Sequence, residues 1–245
     1  MIKLKDISKK YHTKKDEIEA IKKFDLEIKE NEIIALVGPS GCGKSTILSI
    51  LASLDNDYLG SVIKNKDIKI GYMLQSDALL PYINNYENAI LGLKIKKIMN
   101  KENLDYVNYL FKLYNLEEFK YSYPNNLSGG MRQRLALIRT LSLKPDLLLL
   151  DEAFSALDEK SKLLISDDVY KYLKNNNKSL VLVTHSIEEA IYFSDKVIIL
   201  SKRPSVIKKI IDINFDKNKS IYDRKKDPKF NDYFDIIWKD LDTNE

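Results

Sequence analysis

The sequence predicts an α/β domain built on a mostly parallel sheet, and three observations carry that expectation. Ile33-Ile34-Ala35-Leu36-Val37, Leu147-Leu148-Leu149-Leu150 and Leu180-Val181-Leu182-Val183 are continuous apolar runs, as in strands covered on both faces. Helical spacing follows each of them, and strand alternating with helix builds a parallel sheet with right-handed crossovers. Between the first run and the first helix stands Gly38-Pro39-Ser40-Gly41-Cys42-Gly43-Lys44-Ser45-Thr46. That is the G-x-x-x-x-G-K-S pattern, a loop that wraps a phosphate chain in backbone N–H groups. Its glycines allow the close backbone approach that a Cβ would block. In such a loop Lys44 reaches the β- and γ-phosphates and the Ser45 hydroxyl sits on Mg2+.

In chain order, residues 2 to 8 and 19 to 29 read as strands with imperfect period-two alternation, joined by a charged turn at Lys14-Lys15-Asp16-Glu17. Tyr11 falls just after the first of them. Strand 33–37 and the phosphate loop lead into a helix ending near residue 54. Gly60 to Tyr72 reads as a short strand pair around a Lys64-Asn65-Lys66-Asp67 turn, with Gln75 just beyond it. Residues 82 to 120 change character. Helical spacing recurs at 87–91 and at Leu104, Val107, Leu110, Phe111 and Tyr114, which predicts an all-helical insertion. Leu127-Ser128-Gly129-Gly130 opens a helix from Met131 to Leu143 that stops before Pro145. Strand 147–150 ends in Asp151-Glu152. A helix over 158–174 follows, then a strand ending at His185, a helix over 186–193 and a last core strand over 196–200. Beyond Pro204 the chain is more polar. Asp227-Pro228 starts a final helix whose apolar face is Phe230, Phe234, Ile237, Trp238 and Leu241. That face reads as one that docks on the domain.

Composition bounds the function. Forty basic and 36 acidic residues are mixed along the 245-residue chain, for a net charge of +4. No concentrated basic stripe argues for nucleic acid. Hydrophobic residues make up 44%, enough for a sizeable core. The lone cysteine, Cys42, excludes an internal disulfide and fits a reducing compartment. It reads as a small filler within the loop rather than a nucleophile. No stretch approaches the ~18 apolar residues of a membrane span, and the start of the chain lacks the apolar stretch of a signal peptide. The expectation is a cytosolic protein whose membrane role, if any, needs a separate partner chain.

Chemistry gathers at one sheet edge. In a doubly wound sheet the strand C-termini and the phosphate loop share that edge. Asp151 is then placed to hold Mg2+, and Glu152 to polarise an attacking water. His185 at a strand tip can donate to a γ-phosphate or hold the water, and Gln75 can ligate Mg2+ through its amide oxygen. Ser128 is a natural N-cap, and Gly129-Gly130 leaves N–H groups exposed at a helix start. This second anion site is separated from the phosphate loop by the helical insertion. A second copy of the protein is the simplest way to bring the two onto one nucleotide. Five of the eight glycines fall in these two segments. Arg132 and Arg134 are open between surface charges and anchors for the insertion.

Over residues 1 to 205 the chain resembles the ATP-binding subunit of ABC transporters, a P-loop NTPase core with an N-terminal antiparallel β subdomain and a helical insertion. Gly38–Thr46 matches the Walker A motif, Gln75 the Q-loop, Leu127–Arg134 the signature motif and Leu147–Glu152 Walker B. Ser155-Ala156-Leu157-Asp158 matches the D-loop and His185 the switch histidine. The resemblance implies ATP and Mg2+ as ligands and Glu152 as catalytic base, with Lys44, Gln75 and His185 completing the catalytic set. It implies that Tyr11 stacks on adenine, and that Ser128, Gly129 and Gly130 clamp the γ-phosphate bound to the opposite subunit. Ser45, Gln75 and Asp151 form the metal set. The implied partners are a second copy, integral membrane permease subunits and, indirectly, an extracytoplasmic solute-binding protein, with no nucleic acid. The implied location is the cytoplasmic face of the cell membrane.

Leu79-Leu80-Pro81-Tyr82, Gly129-Gly130-Met131-Arg132-Gln133-Arg134, Ile187-Glu188-Glu189-Ala190 and Leu200-Ser201-Lys202-Arg203-Pro204 look like the nitrate/sulfonate/taurine importer branch. Ala153, Ser155 and Ser186 depart from that pattern, where proline, glycine and aspartate are frequent. The expected organisation is an ATP-binding core over 1–81 and 144–204, a helical signature subdomain over 82–143 and a C-terminal extension over 205–245. Other classes are an ABC-type ATPase acting on nucleic acid or ribosomes, and a P-loop kinase, which would not need the Ser128-Gly129-Gly130 segment.

Overall fold

In the computed structural model, residues 1–12, 16–216 and 219–242 are described. The long runs form β3 (Ile33–Val37), β6 (Leu147–Asp151), β7 (Ser179–Val183) and β8 (Lys196–Leu200), central to a six-stranded sheet. With β5 (Ile70–Met73) and β9 (Ile207–Asp212) at its edges, the order is β5-β6-β7-β3-β8-β9. All pairs are parallel except β8–β9.

The apolar runs are continuous because this sheet separates two cores. Ile33, Ala35, Leu148, Leu150, Leu180 and Leu182 pack to one side. Ile34, Leu36, Leu147, Leu149, Val181 and Val183 pack to the other. Period-two alternation is present, but both faces are apolar.

The second core is closed by α1 (Lys44–Leu51) and by a three-stranded antiparallel sheet in the order β2-β1-β4. Its strands are β1 (Ile2–His12), β2 (Glu17–Ile28) and β4 (Leu59–Lys64). β1 runs past its expected end, so Tyr11 lies inside it rather than after it, and β2 starts two residues earlier than expected and ends one earlier. Of the turn expected at Lys14-Lys15-Asp16-Glu17, Lys14 and Lys15 lie outside the described residues, and Glu17 opens β2 instead.

The strand pair expected over 60–72 is corrected. β4 pairs with β1 and β5 pairs with β6, so neighbours in sequence belong to different sheets. The mostly exposed residues of β4 suit an edge, whereas Gly71 and Met73 of β5 are buried beside β6. At Gly60 φ is +101°, and a Cβ there would lie 2.5 Å from the carbonyl oxygens of Lys5 and Asp6.

The first core is covered by α2 (Asn85–Ile95), α3 (Lys101–Leu113), α4 (Gly129–Leu141), α5 (Glu159–Asn175) and α6 (Ile187–Phe193). α4 starts and stops two residues earlier than expected, because Ser128 caps it by accepting from the Met131 N–H at 3.3 Å. Arg134 donates to the Tyr114 carbonyl at 3.0 Å and Arg132 to Asp77 Oδ2 at 2.9 Å. Both arginines therefore tie α4 to its neighbours.

The strand over 196–200 is not the last. β9, α7 (Ile221–Lys225) and α8 (Lys229–Asp242) follow. Phe230 and Ile237 of α8 are buried in the first core, so the final helix docks as expected, while Trp238 stays 56% exposed. Among the described residues no helix is long and apolar enough to cross a membrane.

Candidate functional site

The order β5-β6-β7-β3 sets four strand ends side by side. From them leave, in the same order, Gln75, Asp151-Glu152, His185 and the phosphate loop. A cleft of about 490 Å3 opens at this edge. Its walls include Gly38, Gly41, Lys44, Gln75, Glu152 and His185, with Ser40, Gly43, Ser45 and Thr46 completing the loop side. Parallel strands place these groups because each C-terminus points the same way.

Gly41 and Gly43 have φ of +72° and +105°, which turns their N–H groups out of any regular ladder. Lys44 donates to the carbonyls of Gly38 at 2.8 Å and Pro39 at 3.0 Å, closing the loop on itself. Cys42 and Pro39 do not line the cleft. The Cys42 side chain is buried in the second core, and burial pushes its thiol above the ordinary value. It is a filler, as the sequence suggests.

Glu152 adopts φ of +48°, a left-handed conformation that non-glycine residues rarely take. Its N–H donates to the Val183 carbonyl at 2.9 Å, fixing the turn. The twist separates the two acids: Asp151 is 3% exposed and faces inward, while Glu152 enters the cleft. There Gln75 Nε2 donates to Glu152 Oε2 at 3.1 Å, and His185 Nδ1 lies 3.8 Å from the same oxygen. Strain of this kind costs ~1–3 kcal/mol and persists where surrounding contacts enforce it.

Burial raises the Asp151 carboxyl above its ordinary value, opposed by hydrogen bonds from Ser45 and Tyr72. The Tyr72 hydroxyl donates to Asp151 Oδ2 at 3.3 Å, and burial beside that carboxylate pushes the phenol up to about 12. Asp151 Oδ1 is buried without a hydrogen-bond partner. An orphaned carboxylate oxygen on a side chain that Ser45 hydrogen-bonds suits a hard cation that takes oxygen ligands. Among the described residues no group of three or more His, Cys, Asp or Glu is arranged to hold a metal ion. A small donor set of this kind leaves room for phosphate oxygens on the same ion.

Tyr11 reaches the far side of the loop, its hydroxyl 3.1 Å from Thr46 Oγ1 and its ring 41% exposed. Ser128, Gly129 and Gly130 are not in the cleft wall. They sit at the start of α4, against the segment 155–157. Gln133 donates to Ser155 Oγ at 3.0 Å and accepts from the Ala156 N–H at 2.9 Å. A Cβ on Gly130 would lie 3.2 Å from the Ala156 carbonyl.

Sequence reasoning missed Tyr72, because a tyrosine in an edge strand carries no signal of its acidic neighbour. It also missed Asp77. The main-chain carbonyls of Asp77 and Ala78 accept from Arg139 at 2.5 and 2.7 Å, and the Asp77 side chain holds Arg132. The segment after Gln75 is thereby tied to α4.

The family described as ABC transporter matches residues 21–155. An uncharacterized ABC transporter ATP-binding protein of Bacillus subtilis, YtlC, is 40% identical, with 96% of this chain and 93% of the relative covered. The aliphatic sulfonates import ATP-binding protein SsuB of Bacillus cereus is 33% identical, covering 92% and 89%. The nitrate import ATP-binding protein NrtD of Synechocystis is 32% identical, covering 96% and 93%. Among solved structures, a dimeric post-hydrolysis state of the ATP-binding cassette MJ0796 bound to ADP and Pi superposes with a TM-score of 0.80. It is 33% identical over 88% of this chain and all of that one.

Proposed function

The chain belongs to the ABC transporter family of ATP-binding proteins and is an ATPase of that family, and from that premise we propose that two copies sandwich ATP and drive an importer for a small solute. One observation carries the reading: the phosphate loop, Gln75, Glu152 and His185 line a single cleft. Import of nitrate or sulfonates is supported by the names of the relatives SsuB and NrtD, and the solute class read from the sequence motifs is nitrate, sulfonate or taurine. Pairing is supported by the dimeric MJ0796 cassette and by the position of Ser128 outside the cleft of its own chain.

Each residue has a part. Loop N–H groups and Lys44 hold the β- and γ-phosphates, Lys44 exchanging its carbonyl partners for phosphate oxygens. Tyr11 stacks on the base. Ser45, Asp151 and Gln75 would hold Mg2+, which when bound would offset the negative charge of the phosphate groups. Glu152 accepts the proton of the attacking water, and its present bond from Gln75 keeps the carboxylate aimed into the cleft. His185 donates to the γ-phosphate. Ser128 and the N–H groups of Gly129 and Gly130 reach that phosphate from the second copy. Because Asp77 and Ala78 are pinned to α4, a shift at Gln75 is passed to the helical insertion. Near it Tyr82 stands 73% exposed beside Leu79 and Leu80, a surface for a short helix of a membrane permease. The extracytoplasmic solute-binding protein belongs on the permease's far side, and this chain on its cytoplasmic side.

Lys44→Ala tests the phosphate cradle. Hydrogen bonds to charged groups are worth ~1.5–3 kcal/mol, so calorimetry is expected to show ATP affinity falling about 10- to 100-fold. Unchanged affinity contradicts the cradle.

Asp151→Asn tests the cation set. The folded state holds the Asp151 proton more tightly than the unfolded chain does. Its favourable contribution is therefore present below the ordinary carboxylate range and is lost as pH rises through that range towards the raised value. At neutral pH the buried charge destabilises the ligand-free fold. Scanning calorimetry is expected to show a higher ligand-free Tm in Asp151→Asn and a smaller rise on adding Mg2+ with ATP. A lower ligand-free Tm with the ligand effect intact argues against the assignment.

A further inference from the structure

We propose that Arg224 and Lys225 of the C-terminal extension are positioning residues for His185: they brace the helix that begins directly after it. The inference rests on the role given to His185 above. Only Ser186 separates His185 from α6, which is a seven-residue rod. Its leading end is held from the core. Ser186 Oγ accepts from the Glu189 N–H at 3.3 Å, Thr184 Oγ1 lies 2.5 Å from Glu189 Oε2, and Lys162 pairs with Glu189 Oε1 at 3.2 Å.

The trailing end is held by the extension. Arg224 donates to the carbonyls of Tyr192 at 3.3 Å and Ser194 at 3.5 Å, and to the Tyr170 hydroxyl. These carbonyls have no intrahelical donor at the end of α6. The guanidinium is 2% exposed and lies 4.6 Å from the Tyr170 ring and 5.4 Å from the Phe215 ring. Among the described residues it forms no ion pair with a carboxylate. A buried cation with that surrounding is costly unless its hydrogen bonds are kept, so α6 and the extension move together. Lys225 adds an ion pair to Glu188, on the exposed side of α6, at 2.6 Å.

A cleft of about 450 Å3 runs between the two elements. His185 and Ser186 stand on one wall, Lys225, Phe234 and Trp238 on the other. The extension thus comes within one small cleft of the histidine, and a displacement of α7 or α8 reaches His185 through α6 rather than through the sheet.

The test compares hydrogen exchange, ATP turnover and ATP affinity in the full chain. Arg224→Met keeps the stem and removes the donors. Its amides over 184–190 are expected to exchange about tenfold faster while those of β6 and β7 keep their protection. Turnover should fall about tenfold, with ATP affinity within about twofold of the parent, the split expected of a group acting only after binding. Arg224→Lys, which keeps a cation for the carbonyls, should recover most of both. In a His185→Ala background Arg224→Met should lower turnover no further, because both act through one group. Lys225→Ala removes only the exposed ion pair, keeps the fold, and should give the same pattern at about two- to threefold.

Uniform loss of protection across β6 and β7, or a full further loss of turnover without His185, overturns the proposal. Normal turnover in His185→Ala instead overturns the role given to that histidine, and the exchange at 184–190 then decides the brace separately.

Discussion

Glu152→Gln is expected to bind ATP as tightly as the parent and to hydrolyse it at least ~10²- to 10⁴-fold more slowly, the range for removal of a general base. The geometry makes the effect specific. Glutamine keeps the size of the side chain and an oxygen that accepts from Gln75, so the left-handed turn at 152 and its Val183 contact survive. What is lost is the capacity to take a proton from water. If ATP holds the two copies together as proposed, a chain that cannot split ATP should remain paired on it. Single-turnover hydrolysis and nucleotide affinity measured side by side decide the matter. A loss of affinity equal to the loss of rate would mean that Glu152 holds the nucleotide rather than activating water.

Ser128→Arg is expected to leave ATP affinity of the single chain unchanged and to lower turnover at least ~10²-fold, the cost of removing a preorganised donor to developing charge. Ser128 is exposed and is not part of the wall of its own cleft, so a bulky cation there is expected to leave nucleotide on the same chain untouched. Loss of the N-cap costs α4 about 1 kcal/mol, which a 13-residue helix with seven buried residues tolerates. Ser128→Asn retains a capping oxygen and serves as the control for folding. A fall in single-chain affinity for Ser128→Arg would mean that the segment contacts nucleotide in cis, and normal turnover would mean that it contacts none.

What could be read from residues alone follows physical scale. The central strands were legible because their apolar runs are too short for buried helices, and a glycine loop, Asp-Glu or His marks where three of them end. The phosphate loop was legible because glycine spacing is demanded by backbone approach, and the resemblance to ABC proteins rested on those same short motifs in order. The fate of β4 and β5 was not legible: each is short, and period and turn signals are the same whether two strands pair with each other or with distant partners. β9 and α7 escaped because Ile207–Asp212 and Ile221–Lys225 are short and mixed in polarity, with neither a clean alternation nor a full helical turn of apolar spacing. They are held instead by long-range contacts, such as Arg224 under α6. Tyr72 and Asp77 escaped for the same reason, since their partners lie 79 and 55 or more residues away. The separation of Ser128 from the cleft was read from the insertion between the two glycine segments, and the fold keeps them apart.

The most direct measurement is the mass of the Glu152→Gln chain by light scattering, with Mg2+ and ATP, with and without Ser128→Arg. Twice the 28.4 kDa chain mass is expected for Glu152→Gln with ATP, and a single chain for Glu152→Gln carrying Ser128→Arg, although both bind the nucleotide. A single chain in both cases, or the doubled mass in both, would contradict a nucleotide gripped from two sides by two copies.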